Sequence, residues 1–202
     1  MSSSRKRVIG IIGGIGAGKS AAAAAFAKRG GQIVNADGLG HRVLELPEVK
    51  QALIDRWGDR ILKPDERINR RVVAGIVFGN EEERRALEQI VFPPIRRMAV
   101  AEIADAENDP EVRFVVLDAA VLLEAGWKDF CDRIVYLDAP DATRFARLQA
   151  RSGWTADDLR TREAAQWSED EKRKCSDAIV RNDGTHERLQ EQIDQLVSQW
   201  SL

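Results

Sequence analysis

Residues 8–20 read Val-Ile-Gly-Ile-Ile-Gly-Gly-Ile-Gly-Ala-Gly-Lys-Ser, an apolar run followed by a glycine-rich loop that ends in Lys19 and Ser20. Glycines let the backbone curl so that successive N–H groups point at phosphate oxygens. In this pattern the ammonium of Lys19 reaches the β- and γ-phosphates, and the hydroxyl of Ser20 binds Mg²⁺ while the next helix directs its positive end at the anion. The stretch therefore predicts a P-loop for a nucleoside triphosphate. The alternative is a glycine-rich turn that binds nothing.

The helix predicted after this loop, residues 19–29, is rich in alanine, whose small side chain lets a helix lie close to a sheet. We interpret the alanine run as structural and assign the nucleotide contacts to the loop and the first residues of the helix. The predicted contact residues are Gly13, Gly14, Ile15, Gly16, Ala17, Gly18, Lys19, Ser20 and Ala21.

The composition excludes several classes of protein. With 202 residues, 44% of them hydrophobic, the chain is long enough for one large domain with a sheet buried on both faces. Its 31 basic and 33 acidic residues give a formal net charge of −2, so no basic field favours a nucleic-acid partner. Cys131 and Cys175 have no CxxC spacing, which indicates neither a zinc site nor a disulfide framework.

The amino-terminal region bears on the compartment. Arg5, Lys6 and Arg7 precede an apolar stretch of only five residues, which is too short for the apolar segment of a signal peptide. No other stretch approaches the length of a transmembrane helix. We expect a cytoplasmic monomer with two free thiols, and with no membrane or nucleic-acid partner.

Five strand-like segments rich in Val and Ile alternate with helical patterns, at residues 8–12, 32–35, 113–118, 133–137 and 178–181. Continuous apolar runs such as residues 114–117 are typical of parallel strands covered on both faces. The alternation favours right-handed βαβ units. The predicted fold class is α/β, a doubly wound parallel five-stranded sheet of the P-loop NTPase and nucleoside monophosphate kinase type. In such sheets ligands bind at the carboxyl ends of the strands.

A long helical stretch, residues 47–107, separates the second and third strands, and we expect it to be broken at Pro64 and at Pro93-Pro94. It is too long for a crossover alone. One interpretation is an insertion that holds a phosphoryl acceptor, and the other is a helical cover without ligand contact. We favour the acceptor because Asp37 stands at the entrance of the stretch.

Residues 147–158 predict a helix, a turn at Ser152-Gly153, and a second helix capped by Thr155 with Asp158 three residues on. Arg147 and Arg151, four residues apart on the first of these helices, share one face, and Arg144, three residues before Arg147, is also at helical spacing. The fixed fork of donors on arginine suits a transferring phosphoryl group. The segment therefore resembles a lid that closes over phosphates, and the alternative is a solvated helix face.

Two carboxylates follow predicted strands. Asp37 comes after the second strand, where it could accept the hydroxyl proton of an acceptor, because phosphoryl transfer needs a positioned base. Its alternative role is the N-cap of a helix beginning at Gly38. Asp118 ends an apolar strand in the Walker-B position, where it could hold a Mg²⁺-bound water or serve as a structural cap.

At this point the chain resembles the dephospho-CoA kinase family, whose members phosphorylate the ribose 3′-hydroxyl of dephospho-CoA with ATP in the last step of coenzyme A synthesis. The resemblance covers nearly the whole length, and its ordered set of motifs is more specific than a P-loop alone. It rests on residues 13–20, on Asn35-Ala36-Asp37, on residues 117–124 (Leu-Asp-Ala-Ala-Val-Leu-Leu-Glu), on Arg147 and Arg151, on Arg162 with Gln166, and on residues 176–182 (Ser-Asp-Ala-Ile-Val-Arg-Asn).

The resemblance implies one P-loop kinase domain over residues 1–202, with a helical acceptor-binding insertion at about residues 38–110 and a lid at about residues 147–172. It implies ATP as phosphoryl donor, Mg²⁺ as metal and dephospho-CoA as acceptor. The implied residues are Lys19, Asp37, Arg147 and Arg151 for catalysis, Arg147, Asn182 and Gly184 beside the nucleotide, Asp37, Leu122 and Glu124 beside the acceptor, and Ser20 and Asp118 at the metal.

The chain departs from the usual family pattern at four places. Ala21 stands where Thr is usual, Asn35 stands for Asp, Ala120-Val121-Leu122 stand for Pro-Leu-Leu, and Phe92 stands where bacterial members carry His. The sequence of residues 118–127 is similar to that of the kinase half of the bifunctional animal CoA synthase. The chain has no HxGH signature of an adenylyltransferase, so we interpret it as a stand-alone kinase.

Other interpretations stay open at this stage. Phe92 either lines the acceptor site or packs in the core, and we favour the core because Pro93-Pro94 would end its helix and turn it inward. Another small-molecule or nucleoside monophosphate kinase would show the same P-loop. A nucleotide-gated switch is a third possibility, although the chain has no Asn-Lys-x-Asp motif for reading guanine.

Overall fold

The computed structural model describes residues 5–202, and its centre is an all-parallel sheet in the order β2-β3-β1-β4-β5. The five strands are β1 Val8–Gly13, β2 Gly31–Asn35, β3 Phe114–Asp118, β4 Arg133–Asp138 and β5 Ala178–Arg181. Each begins and ends within one residue of the predicted segment. The doubly wound parallel fold class is confirmed.

Helices occupy most of the remaining chain. They are α1 Lys19–Ala27, α2 Ala36–Val43, α3 Pro47–Trp57, α4 Arg70–Val77, α5 Glu81–Asn108, α6 Asp141–Ser152, α7 Ala156–Glu163, α8 Glu169–Lys174 and α9 His186–Gln199. Short 3₁₀ helices lie at Asp59–Ile61 and Trp127–Phe130. Within residues 5–202, no helix combines the length and apolar character needed to cross a bilayer.

The strand register brings the carboxyl ends of the central strands together. Every residue of β1 and β3 is buried, as continuous apolar parallel strands require. Asp118, the last residue of β3, is level with Ile11 of β1 on one side and with Asn35 of β2 on the other. The loop after β1 and the carboxylate of Asp118 therefore lie at the same edge of the sheet.

Helix α1 packs closely on this sheet because its buried positions are small. Ala22, Ala23 and Ala25 are buried, and the one large residue, Phe26, meets Phe114 of β3 edge-on with ring centroids 6.0 Å apart. Helix α9 lies against α1 and completes the same core through its apolar positions. The alanine run is thus structural, as expected.

The chain divides into two compact units, one formed by the residues up to 35 together with 102–202 and the other by residues 36–101. The second unit has its own buried residues, including Val49, Leu53 and Ile61. Within it the Trp57 indole donates a hydrogen bond of 2.8 Å to Glu83. Its acceptor-binding role stays a prediction.

The expected break at Pro93-Pro94 is wrong, because α5 runs through both prolines for 28 residues. A proline inside a helix removes a backbone hydrogen bond and crowds the preceding turn, at about 3 kcal/mol or more. Burial of Val91, Ile95 and Ala99, spaced four apart on one side, outweighs this local cost. Since α5 does not end there, no helix end turns Phe92 inward, and Phe92 is half-buried within the helix. The break at Pro64 is confirmed by a turn there.

The predicted helix–turn–helix between β4 and β5 is present. Helix α6 ends at Ser152, and Gly153 follows with φ 65°, a left-handed conformation that favours glycine. Thr155 and Asp158 form a capping box at the start of α7. Ser168 and Glu171 form a second one at the start of α8. Whether this segment closes as a lid stays a prediction.

Candidate active site

The P-loop, residues 13–20, joins β1 to α1 at the carboxyl edge of the sheet. Gly16 has φ 81° and Gly18 has φ 95°, conformations that side-chain-bearing residues rarely adopt. A Cβ on Gly18 would lie 2.3 Å from Nδ2 of Asn182, so the position has no room for a side chain. Helix α1 begins at Lys19 without a side-chain cap, so its positive end faces the loop. The amide of Ala21, a predicted nucleotide contact, donates instead to the carbonyl of Gly18 at 3.0 Å.

Side chains from outside the loop hold two of its carbonyl groups. The Arg144 guanidinium donates to the carbonyl of Ile15 at 3.1 Å, and the Asn182 amide donates to the carbonyl of Ala17 at 2.7 Å. In a trans peptide the carbonyl and the next N–H point in opposite directions. Fixing these carbonyls therefore directs the N–H groups of Gly16 and Gly18 to the opposite side of the loop, where they can bind phosphate oxygens.

Arg144 is the most heavily engaged side chain of the site and is only 3% exposed. It pairs with Asp141 at 2.8 Å, with Glu169 at 2.7 Å, and also with Glu163. Burial works against its charge, but the hydrogen bonds to Glu163 and Asp141 outweigh this and raise its pKa above the ordinary value. One residue of α6 thus joins the P-loop to α7 and α8. Its Nε has no hydrogen-bond partner among residues 5–202.

The two arginines proposed for the lid lie in different surroundings. Arg147 is half-buried and donates to the carbonyl of Ala17 at 3.3 Å and to that of Asn182 at 2.9 Å. Arg151, one turn later near the end of α6, is exposed and forms no hydrogen bond or ion pair with residues 5–202. The structure brings Arg147 to the P-loop and leaves Arg151 in solvent, so the catalytic role of Arg151 stays a prediction.

Asn182 and Gly184 follow β5 in the loop that the family resemblance assigns to the nucleotide. Asn182 is buried, and its side chain donates to the carbonyl of Ala17 in the P-loop. Its own carbonyl accepts a hydrogen bond from Arg147, which also donates to Ala17. Gly184 is exposed. Asn182 therefore supports the phosphate loop through its side chain, while the chain beyond it is open to solvent.

Ser20 and Asp118 form the candidate metal site. The Ser20 hydroxyl donates to Oδ2 of Asp118 at 3.5 Å, and Asp118 is 8% exposed. Among residues 5–202 no group of three His, Cys, Asp or Glu side chains could hold a metal by itself. A hydroxyl and a carboxylate fit Mg²⁺, which keeps several waters and takes its other ligands from phosphates.

The segment after β3 contacts the start of α8. Gln166 donates to the carbonyl of Ala120 at 3.4 Å, and the Trp167 amide donates to the Glu124 carboxylate at 2.8 Å. Leu122 is only 1% exposed. The acceptor contacts proposed for Leu122 and Glu124 stay predictions.

Asp37 lies in the first turn of α2, which begins one residue before it. The alternative in which Asp37 precedes a helix that starts at Gly38 is therefore wrong. Its side chain is exposed. Along the chain it lies two residues past Asn35, the residue paired with Asp118 in the sheet.

Sequence reasoning missed two buried basic residues, Arg144 and Lys172. Arg144 was visible as a third arginine at helical spacing, but its three carboxylate partners come from positions that no local pattern connects to it. Lys172 carries no sequence signal, because α8 reads Glu-Asp-Glu-Lys-Arg-Lys and resembles a fully solvated helix.

The chain is similar to known proteins over nearly its whole length. A sequence profile described as dephospho-CoA kinase matches residues 7–188. The chain is similar to the dephospho-CoA kinase of Bacillus licheniformis, with 36% identity over 196 residues that cover 96% of each chain. It is similar to that of Geobacter metallireducens, with 38% identity over 189 residues that cover 92% of each.

Solved structures show the same architecture. A crystal structure from Thermus thermophilus superimposes with a TM-score of 0.81 at 31% identity, covering 97% of this chain and 98% of that one. Dephospho-CoA kinase from Campylobacter jejuni gives 0.68 at 22% identity, with 96% of each chain covered. Shikimate kinase from Acinetobacter baumannii gives 0.57 at 15% identity, covering 98% of this chain and 96% of that one, and supports the fold alone.

Proposed function

The chain belongs to the dephospho-CoA kinase family, and on that premise we propose how its own residues transfer a phosphoryl group from ATP to dephospho-CoA in the last step of coenzyme A synthesis. The observation that carries the proposal is the P-loop whose Ile15 and Ala17 carbonyls are held by Arg144 and Asn182. Amides fixed before the ligand arrives need no reorganisation during transfer, which is the main source of electrostatic catalysis.

In this proposal the triphosphate of ATP lies in the P-loop, with Lys19 on its β- and γ-phosphates. Ser20 and Asp118 would hold Mg²⁺, which would neutralise charge on the phosphate oxygens. Arg147 steadies the loop from the side of α6, and Asn182 with Gly184 borders the nucleoside. The half-buried position of Arg147 against the Ala17 carbonyl supports this arrangement.

The acceptor is the ribose 3′-hydroxyl of dephospho-CoA. Asp37 accepts its proton as the oxygen attacks the γ-phosphorus, the bond from that phosphorus to the bridging oxygen breaks, and ADP leaves. The exposed carboxylate in the first turn of α2 supports this role, because a base must reach a substrate that enters from solvent. Leu122 and Glu124 border the acceptor, and the helical insertion of residues 38–110 has the acceptor-binding role.

The lid proposal assigns a transition-state contact to Arg151. Its exposed guanidinium on α6, one turn from Arg147, has the freedom to move onto the phosphates as residues 147–172 close. Closure excludes water, so hydrolysis of ATP without acceptor is slow. The cytoplasmic location and the monomeric state stay predictions.

The test is an ADP-release assay with dephospho-CoA, AMP, CMP and adenosine as separate acceptors. Of the four acceptors, we expect only dephospho-CoA to support turnover, and we expect slow ADP release when no acceptor is present. A preference for AMP or CMP would assign the chain to the nucleoside monophosphate kinases instead. Rapid acceptor-free hydrolysis would indicate an ATPase.

A further inference from the structure

Lys172 is a buried lysine on a helix made only of charged residues. It is 4% exposed, whereas Lys174, two residues further along α8, is exposed. Lysine is almost never fully buried in proteins without a partner for its charge. We therefore expect the buried ammonium of Lys172 to bind a negatively charged group.

Three carboxylates, of Glu124, Glu163 and Glu169, act on the charge of Lys172 without forming an ion pair with it. The Lys172 ammonium donates one hydrogen bond, of 2.7 Å, to the side-chain oxygen of Gln166, a neutral amide. No carboxylate within residues 5–202 forms an ion pair with it. An ammonium carries three donors, so it can bind further acceptors without losing Gln166.

The surroundings of Lys172 locate it at the phosphate end of the site. Its partner Gln166 donates to the carbonyl of Ala120, two residues past Asp118. Burial lowers the pKa of Lys172; the carboxylates of Glu124, Glu163 and Glu169 oppose this change, and the Lys19 ammonium adds to it. Lys172 is therefore close enough to the P-loop lysine for the two charges to interact.

We propose that Lys172 is a further catalytic residue, whose ammonium binds a non-bridging oxygen of the γ-phosphoryl group of ATP during transfer. In the ligand-free protein the three carboxylates offset only part of the cost of burying this cation, because its pKa is still lowered, and an arriving phosphate oxygen supplies a direct partner. Lys19 and Lys172 carry like charges, and an anion that binds both relieves their repulsion as well. The inference rests on the proposed nucleotide site.

The γ-phosphate is preferred over the rest of the nucleotide because of where Gln166 is anchored. Asn182 and Gly184, beside the nucleoside, follow β5, whereas Gln166 is held next to the end of β3, beside the candidate metal ligand Asp118. During transfer Lys172 keeps all its protons: the acceptor oxygen bonds to the γ-phosphorus, the bridging oxygen leaves with ADP, and the hydroxyl proton goes to Asp37. The ammonium follows charge on the phosphoryl oxygens.

The experiment compares Lys172→Met with the exposed control Lys174→Met by calorimetric titration of ATP and ADP in the presence of Mg²⁺. We expect Lys172→Met to weaken ATP binding about tenfold or more, because a hydrogen bond to a charged group is lost. ADP binding should stay within about twofold, since ADP has no γ-phosphate. We expect kcat to fall about 10²-fold, the loss seen for one preorganised donor. Lys174→Met should match the wild type.

Thermal melting without ligand separates this role from a structural one. Because the cost of burying the Lys172 charge outweighs the attraction of the nearby carboxylates, its removal should leave the Tm of Lys172→Met equal or higher. A lower Tm with normal ATP affinity would make Lys172 a structural residue and overturn the inference. Equal losses for ATP and ADP, or a defect confined to the KM of dephospho-CoA, would also overturn it.

Two further variants complete the test. Lys172→Arg keeps the charge and should recover part of the preference for ATP over ADP, whereas no recovery would count against a charge contact. Lys19→Ala reports on the nucleotide site itself. If Lys19→Ala binds ATP normally, the proposed site is wrong; if only Lys172→Met binds normally, the site stands and the role of Lys172 is wrong.

Discussion

Arg144 and Lys172 are both buried cations of the first unit, but their charges are compensated differently. Arg144 is surrounded by three carboxylates, of Asp141, Glu163 and Glu169, and its planar fork also reaches the carbonyl of Ile15. Lys172 has a single amide partner. The charge of Arg144 is therefore paired before any ligand binds, although its Nε has no hydrogen-bond partner among residues 5–202. Lys172 is only partly compensated by Glu124, Glu163 and Glu169, and it gains a direct charged partner when an anion arrives.

Replacing Arg144 by Met should both destabilise the fold and weaken ATP binding. Its carboxylate partners are at least one-third exposed and can rehydrate, so we expect a loss of about 2 kcal/mol in unfolding free energy, below the 3–5 kcal/mol of a fully buried pair. Loss of the donor to Ile15 should also raise the Kd for ATP. Urea unfolding and calorimetry measure both.

The control for this prediction is Arg160→Met, which removes an exposed arginine that pairs with Asp157 on α7. We expect it to change stability by less than about 1 kcal/mol and to leave ATP binding unchanged. An Arg144→Met protein with wild-type ATP affinity would show that the Ile15 carbonyl keeps its orientation without the guanidinium.

Asp37→Asn should lower kcat by about 10² to 10⁴, the usual contribution of general-base help, while ATP binding stays nearly unchanged. The amide keeps the size of the side chain and loses the capacity to accept the proton. Steady-state kinetics and nucleotide titration measure the two effects. An unchanged kcat would reduce Asp37 to a favourable charge in the first turn of α2.

At the scale of elements, α5 shows tertiary packing overriding local preference. Two adjacent prolines lie in its interior, where each removes an i to i−4 hydrogen bond. Pro94 is buried with the apolar side of the helix, whereas Pro93 is exposed. Exposed Pro93 contributes little packing energy, so nothing offsets the free energy lost with its helical hydrogen bond.

Pro93→Ala should therefore raise the free energy of unfolding. A helix interior favours Ala over Pro by about 3 kcal/mol, and the freer unfolded chain takes back up to about 1 kcal/mol, so we expect a gain of about 2 kcal/mol. Urea unfolding tests this, with Pro110→Ala, in the turn after α5, as a control that should not stabilise. A destabilised Pro93→Ala protein would show that the proline ring makes a contact of its own.

At the scale of the molecule, the P-loop makes stability depend on nucleotide. A ligand at one hundred times its Kd stabilises the folded state by about 2.7 kcal/mol. For a chain of 202 residues this corresponds to about 5 to 10 °C in Tm. We expect a non-hydrolysable ATP analogue with Mg²⁺ to produce such a shift.

Lys19→Ala should remove most of this shift in Tm, because it removes the ammonium that we propose binds the β- and γ-phosphates. Lys28→Ala, at the opposite end of the same helix, should keep it. Differential scanning fluorimetry of the three proteins measures the effect. A full shift in Lys19→Ala would contradict the assignment of the P-loop.

The sequence by itself determined the class of fold and the family. Both depend on short-range patterns, which need only a few consecutive residues to be read: apolar runs that become buried parallel strands, glycines at positions that need positive φ, and Thr155 with Asp158 at the start of α7. Each pattern acts through the backbone next to it, so no knowledge of distant segments was required.

Only the tertiary structure decided which side chains support the P-loop. Ile15 is 129 residues from Arg144, and Ala17 is 165 residues from Asn182. The burial of Lys172 in a wholly charged helix and the continuity of α5 through its prolines are likewise results of packing between segments far apart in the chain. Such contacts leave no periodicity in the sequence, because the energy that holds them comes from burial and charge compensation that exist only once the sheet has assembled.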